Sequence, residues 1–353
     1  MAGSRNPCLR YQPMSEHRAL LAQTADRVFS DLSEDFAAAW ATVEGAGLPW
    51  VMASEAAGGI GGGFEDASVI LIAAGRHAVA LPIAEAIVAA ALLNETGIAM
   101  DGALTLAKQV DGKLTPDGDG FLFTGKLDGV AFGAECTRIA FVIEQECQCI
   151  AGSLARADAT ESTRNADPAD IPYDSLHFSR ARMTAVTSTE WNAARLFRAM
   201  ALARACQMAG AIEAALKLSA DHVNQRQQFG RPLAKFQAIQ QQMAVLVEEG
   251  AAAKAAAMAA ARAADDADGG GEFEIACAKL RANRAAGEAA SIAHQVHGAI
   301  GFTREYDLQR FTRPLWSWRS EYGNERHWAD VIGARAAREG ADGFWPALVN
   351  GFA

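Results

Sequence analysis

Two stretches of this 353-residue chain combine residue types at spacings that could do chemistry. The first is Arg226-Gln227-Gln228-Phe229-Gly230-Arg231-Pro232-Leu233, with Phe236-Gln237 just behind it. Arg226 and Arg231 put two guanidinium groups beside a helix end, where planar forks can hold a pyrophosphate through paired hydrogen bonds. Phe229 offers an apolar ring face, and Gln237 an amide that can meet ring or ribose heteroatoms. A capped helix hairpin with two solvated arginines would use the same residues. The second stretch is Gln295-Val296-His297-Gly298-Ala299-Ile300-Gly301-Phe302-Thr303-Arg304-Glu305-Tyr306. Gly298 and Gly301 remove Cβ bulk where a ligand or another backbone comes close, although a glycine C-cap followed by a turn explains them equally well. His297 has no metal partner in register and reads as a packed or surface histidine.

Long helices must position both stretches. From Glu190 onward alanine dominates, and EWNAARLFRAMALARACQMAGAIEAALKLSADHVNQR runs for about ten turns without proline. Gly230 and Pro232 stop this helix, a second covers roughly Leu233 to Ala264, and a third begins near Phe273 after DDADGGGE. Small side chains such as those of AAAKAAAMAAARAA allow close packing but bury little large apolar area, so a bundle completed by another subunit is expected. Residues from about Met14 to Met100 are also helical in pattern. Between their helices, the glycines of EAAGGIGGGFED follow no strand and precede no Gly-Lys-Ser/Thr, which makes them a flexible turn rather than a phosphate cradle. From about Gly102 to Val186, β-branched and aromatic residues alternate with Asp-Gly and Thr-Gly turn signals. Within that part RADATESTRNADPADIPYD is expected to be an exposed loop. The fold class is α+β, mainly α: an N-terminal helical domain over 1–101, a β domain over 102–188 and a helical bundle over 189–353.

The balance of charge narrows the function. A net charge of −10 argues against a nucleic-acid binder, which tracks phosphates with a cationic face. The opening MAGSRNPCLRYQPMSEHR has no apolar core of a signal peptide. AVALPIAEAIVAAALL is interrupted by Pro82 and Glu85 and falls short of the ~20 residues of a membrane span. Six scattered cysteines read as reduced thiols in a cytoplasm. Cys147 and Cys149 lack the second pair or the histidines of a zinc site, so no metal is expected.

Taken together, the two stretches resemble the signatures of the acyl-CoA dehydrogenase family: an Arg-x-x-Phe-Gly hairpin followed by Phe-Gln, and a Gln-x-x-Gly-x-x-Gly-x-x-x-Glu-Tyr turn. Both stand in the family's order and spacing. The resemblance is strong from about Arg198 to Arg338. The order of helical, β and helical parts is similar to the family's helical domain, β-barrel and four-helix bundle. The resemblance implies FAD, an acyl-CoA substrate oxidised at Cα–Cβ to the trans-2-enoyl-CoA, and an electron-transfer flavoprotein as acceptor. Carried over by position, Arg226 would meet the FAD pyrophosphate, Phe229 and Gln237 the adenosine side, and Gln295, Gly298 and Ala299 the FAD of a neighbouring subunit.

Other family landmarks differ here. The family's base is usually a glutamate in a Tyr-Glu-Gly-Thr turn, because removing a thioester α-proton needs a carboxylate made basic by exclusion of water. Here the turn reads Ser320-Glu321-Tyr322-Gly323-Asn324, which puts Tyr322 at the base position and Glu321 one residue early. The alternative base position, near Met200 and Ala201, carries no acid. Glu321 is the candidate catalytic residue if the loop is rearranged. Otherwise the base has been lost, or Glu321 is a surface carboxylate paired with Arg319 or Arg326. GALTLAKQVDG stands where the family has Thr-Glu-x-x-x-Gly-Ser, while Lys126–Gly133 could lie beside a flavin or form a plain hairpin. A short chain with an intact hairpin and altered base motifs is similar to subunits of α2β2 acyl-CoA dehydrogenases. In these assemblies FAD and catalytic residues are divided between unlike homologous chains, and bulky esters such as steroid side chains are often the substrates. A homotetramer or heterotetramer is therefore expected, and the alternative to an active enzyme is a non-catalytic subunit that completes a partner's FAD site.

Overall fold

The computed structural model describes residues 15–94, 102–118, 120–145, 148–188, 191–266 and 271–350. Cys147 lies outside them. Four helices open the chain: α1 (Glu16–Ser30), α2 (Phe36–Gly45), α3 (Phe64–Arg76) and α4 (Ile83–Asn94). The glycine-rich segment before α3 is a turn, and the first amides of that helix are already occupied. The Asp265 carboxylate accepts from the Phe64 and Glu65 N–H groups at 2.7 and 2.9 Å, satisfying donors that have no partner inside the helix.

Seven strands follow: β1 (Leu104–Leu106), β2 (Gln109–Asp117), β3 (Gly120–Ala131), β4 (Arg138–Gln145), β5 (Gln148–Ala155), β6 (Ala159–Ala166) and β7 (Pro172–Ser188). Their order is β1-β4-β5-β7-β3-β2, with β6 on β7. All pairs are antiparallel except β1 with β4. Among the described residues no ladder joins β1 to β2, so the sheet is open and not the closed barrel that the resemblance implies. The expected loop over Arg156–Asp174 contains β6. Its side chains are almost all exposed, which removes any hydrophobic alternation, and it is held by backbone pairing to β7 from Ala159↔Phe178 to Ala166↔Pro172. The sheet has its own core of Phe123, Phe141, Phe178, Leu127 and Leu176.

The last part comprises α5 (Ala193–Gln225), the short strands β8 (Gln227–Gln228) and β9 (Arg231–Pro232), then α6 (Gln237–Asp265), α7 (Glu272–His297), α8 (Leu308–Trp318) and α9 (Glu325–Asn350). At 33 residues, α5 is ~50 Å long and is the axis around which the other helices pack. It crosses α3 backbone to backbone. A Cβ at Gly75 would stand 1.9 Å from the Gln207 carbonyl oxygen, and one at Gly210 1.9 Å from that of Ile72. Neither backbone can retreat without moving a whole helix. Replacing Gly210 by valine is therefore expected to lower stability by at least about 1–3 kcal/mol, readable as a fall in urea midpoint; an unchanged midpoint would show that the crossing is looser than described.

Candidate functional site

The two sequence stretches sit at one end of the bundle. α5 ends at Arg226, whose N–H donates to His222 O at 2.8 Å. The chain then reverses through Phe229 and Gly230, with φ of 52° and 78°, before the β9 strand and the start of α6. Two consecutive left-handed residues match the twist of a tight hairpin, but for a bulky phenylalanine that conformation is strained. The ring gains little burial in return: Phe229 is 91% exposed and meets only the edge of Phe236, with centroids 6.2 Å apart. Arg231 is drawn back over the Phe236 ring at 4.2 Å. Arg226 is exposed and has no ion-pair partner among the described residues. Gln237 is the exposed first residue of α6, which opens without a side-chain cap.

α7 ends beside α5. The His222 and His297 rings stack with centroids 4.4 Å apart, and this brings Gln295, Gly298 and Ala299, all exposed, to the same end of the bundle as Arg226. Gly298 has φ 64° and open space where a Cβ would be. The group therefore combines an unpaired guanidinium, a displayed aromatic ring, two free amides and a glycine with nothing in front of it. This chemistry fits the pyrophosphate and adenosine half of a dinucleotide.

Glu321 lies elsewhere, in the turn after α8, and its surroundings differ from the expected surface pairing. It pairs with neither Arg319, which holds Glu325, nor Arg326, which reaches Asp330. Its side chain is 9% exposed and accepts from Lys108 Nζ at 2.8 Å, Tyr173 Oη at 2.5 Å and Arg204 Nε at 2.7 Å. Arg204 is itself buried on α5 and also bonds Glu85 of α4 and Gln207 Oε1. Burial alone would raise the Glu321 carboxyl, but Arg204 and Lys108 hold it down to about 2. A carboxylate so stabilised as an anion is a weak proton acceptor. Met200 and Ala201, one turn earlier on α5, are buried and carry no acid.

The turn itself is fixed from below. Lys279 of α7 is fully buried, and its ammonium donates to Asn283 Oδ1 at 2.7 Å, Trp318 O at 3.0 Å and Gly323 O at 3.2 Å. Burial brings its pKa down to about 7. Trp328 Nε1 adds a bond to Tyr322 O at 3.0 Å. Tyr322, at the expected base position, has φ 48° and a buried hydroxyl with no hydrogen-bond partner among the described residues. A cleft of about 510 Å³ lies over this turn, lined by Lys108, Pro168, Trp316, Ser317, Glu321 and Tyr322. Lys126–Gly133 is the end of β3 and the turn after it, with Ala131 O accepting from Thr105 Oγ1.

Sequence reasoning missed Arg204, Glu85, Lys108, Tyr173 and Lys279. A signal existed for two of them. Arg204 and Glu85 are lone opposite charges on otherwise apolar helical faces, and a charge in such a place needs a counter-ion.

Comparison with known proteins places these observations in a family. Residues 188–336 match the model of the acyl-CoA dehydrogenase C-terminal domain, a span holding both bundle-end stretches and the Glu321 turn. The chain is 26% identical to acyl-CoA dehydrogenase FadE28 of Mycobacterium tuberculosis over 348 residues, covering 93% of this chain and 99% of that one. Its fold is that of the ChsE4–ChsE5 complex from Mycobacterium tuberculosis, with TM-score 0.80, 21% identity, and coverage of 93% of this chain and 99% of that chain. Butyryl-CoA dehydrogenase from Megasphaera elsdenii gives TM-score 0.81 at 16% identity, covering 92% and 99%. No helix among the described residues is long and apolar enough to cross a membrane, and no group of three or more His, Cys, Asp or Glu there could hold a metal ion. Residues 188–336 are thus an acyl-CoA dehydrogenase C-terminal domain, and the chain as a whole is similar to acyl-CoA dehydrogenase FadE28 almost end to end.

Proposed function

We propose that this chain is the non-catalytic subunit of a heteromeric, FAD-dependent acyl-CoA dehydrogenase, and that it completes the FAD site of a homologous partner. FAD, when bound, supplies the hydride acceptor for oxidation of an acyl-CoA to its trans-2-enoyl-CoA. This chain's part is to bind and orient. Arg226 would neutralise the pyrophosphate, Phe229 and Gln237 would meet the adenosine side, and Gln295, Gly298 and Ala299 would contact the FAD of the neighbouring subunit. The observation that carries the reading is the contrast between the two sites: the dinucleotide-type residues are unpaired and exposed at the bundle end, while Glu321 is committed to Arg204 and Lys108. The partner then provides the base, and an electron-transfer flavoprotein takes the electrons. The likeness to ChsE4–ChsE5, itself a complex, supports a heterotetramer over a homotetramer. Bulky acyl groups, steroid side chains among them, are the substrate class this reading favours, and the cytoplasm is its location.

Co-expression with the homologous partner subunit is expected to yield a yellow complex. Arg226→Ala in this chain should lower flavin retained per protomer at least tenfold without dissociating the subunits, as read by absorbance and gel filtration. Full flavin content in that variant would remove Arg226 from the site.

Glu321→Gln is expected to leave turnover of the complex within threefold, whereas loss of turnover with flavin and assembly intact would restore Glu321 as the base. The same substitution should cost stability, because Arg204 and Lys108 lose a carboxylate. The folded-state pKa near 2 lies below the ordinary 4.5, so the contribution is present above pH 4.5 and is lost as pH falls toward 2. Its size is about 3 kcal/mol, and the stability gap between parent and variant should shrink by that order between pH 5 and 2 in denaturant titrations.

A further inference from the structure

The bundle-end site is assembled from the ends of two helices, and something must hold those ends together. α5 contributes Arg226 and α7 contributes Gln295 and the Gly298 turn. The link between them is aromatic and titratable. His222 stacks on His297 with centroids 4.4 Å apart and planes at 29°, and Tyr306 covers both rings at 6.3 and 5.0 Å. The hydrogen bonds place one ring proton of His297. Its Nδ1 lies 2.7 Å from the Ala293 carbonyl oxygen, which only accepts, so Nδ1 carries the proton. In the neutral ring Nε2 accepts from the Tyr306 hydroxyl at 3.2 Å. A second proton on His297 would cost that bond as donated by Tyr306 and would set a cation against the His222 ring.

We infer that His222, His297 and Tyr306 are positioning residues for the dinucleotide half-site, forming a latch that keeps Arg226 and Gln295 in register only while both imidazoles are neutral. This rests on the proposed function, in that it takes the bundle end to be a FAD half-site. The charged and titratable groups around the pair do not favour its protonation overall. On α5, Arg226 adds repulsion to a charged His222, and Asp221 lies near Tyr306; on α7, His294 faces His297; after α7, Asp307 also lies near Tyr306. Burial lowers the pKa of both histidines, with His297 and Arg226 acting further on His222 and the carbonyls of Ala293 and Leu218 opposing the shift at His297. Folded pKa values below the ordinary 6.5 mean that the closed latch is favoured at neutral pH and loses ground as pH falls through 6.5 and below. Acidification should therefore release FAD before it unfolds the chain.

The complex of this chain with its partner subunit tests the inference, with FAD as probe because its pyrophosphate diester keeps its charge between pH 5 and 8. Parent complex is expected to lose FAD affinity at least tenfold between pH 7.5 and 5.5 in equilibrium dialysis. His222→Tyr keeps an aromatic ring against His297 without a titrating group, and should lose less than threefold of its own pH 7.5 affinity on acidification. An acid loss in His222→Tyr as steep as in the parent would overturn the latch. A second measurement needs no FAD: imidazole proton resonances of the full chain, followed against pH, should show the His222 midpoint rising in His297→Tyr, and identical His222 titrations in the parent and that variant would also overturn it. If Arg226→Ala binds FAD as tightly as the parent at both pH values, the half-site reading fails instead, and the resonance titration alone decides whether the two histidines are coupled.

Discussion

The buried guanidinium of Arg204 is the constraint on which the rest of the molecule depends. Its place midway along α5 is surrounded by Met200, Ala201, Ala205 and Met208, all fully buried. Removing a charge from water there costs several kcal/mol unless its donors are satisfied and an opposite charge is close. The acceptors come from three directions: Glu85 from α4, Gln207 from α5 itself, and Glu321 from the turn after α8. Lys108 and Tyr173 then join the sheet to the same cluster through Glu321. One charge thus fixes the position of the N-terminal helices, the sheet and the C-terminal turn relative to the axis of the bundle.

That arrangement decides what Glu321 can do. A general base must be anionic and also ready to give up its stabilisation when it takes a proton. Glu321 is anionic because two cations and a phenol hold it so. Protonating it would leave Arg204 with a single carboxylate in a buried site. The one-residue offset between Glu321 and the family's base position therefore has a structural counterpart: the turn presents its carboxylate to a permanent counter-ion, and Tyr322, at the base position, carries a buried hydroxyl. Lys279 locks this choice by holding the carbonyls on both sides of the turn.

How much of this the sequence revealed depended on the range of the interaction. The long helices were legible because alanine-rich periodicity and the stops at Gly230 and Pro232 are local. The hairpin was legible for the same reason, since a tight reversal after a helix and a glycine in the left-handed region lie within a few residues. β6 was read as loop because its side chains carry no burial signal, and its structure comes from a backbone ladder to β7. The Glu321 network was illegible because its partners lie far apart in the chain, with Arg204 119 residues from Glu85 and 117 from Glu321. Lone charges on apolar faces announce that a counter-ion exists, but nothing local says which one.

The two sites lie on the same helix, and this geometry bears on how the protein assembles. The 22 residues from Arg204 to Arg226 span ~33 Å of α5. Between these points the helix packs on α3, α6 and α7. In the proposed reading, a dinucleotide held at the bundle end would lie far from this chain's own turn. In that reading the ion pairs of Glu321 would cost the assembly nothing, provided the facing subunit kept a free carboxylate. The proposed division would also give the strained, solvent-facing Phe229 a role: an exposed apolar ring of this kind is the surface a partner and its cofactor would cover.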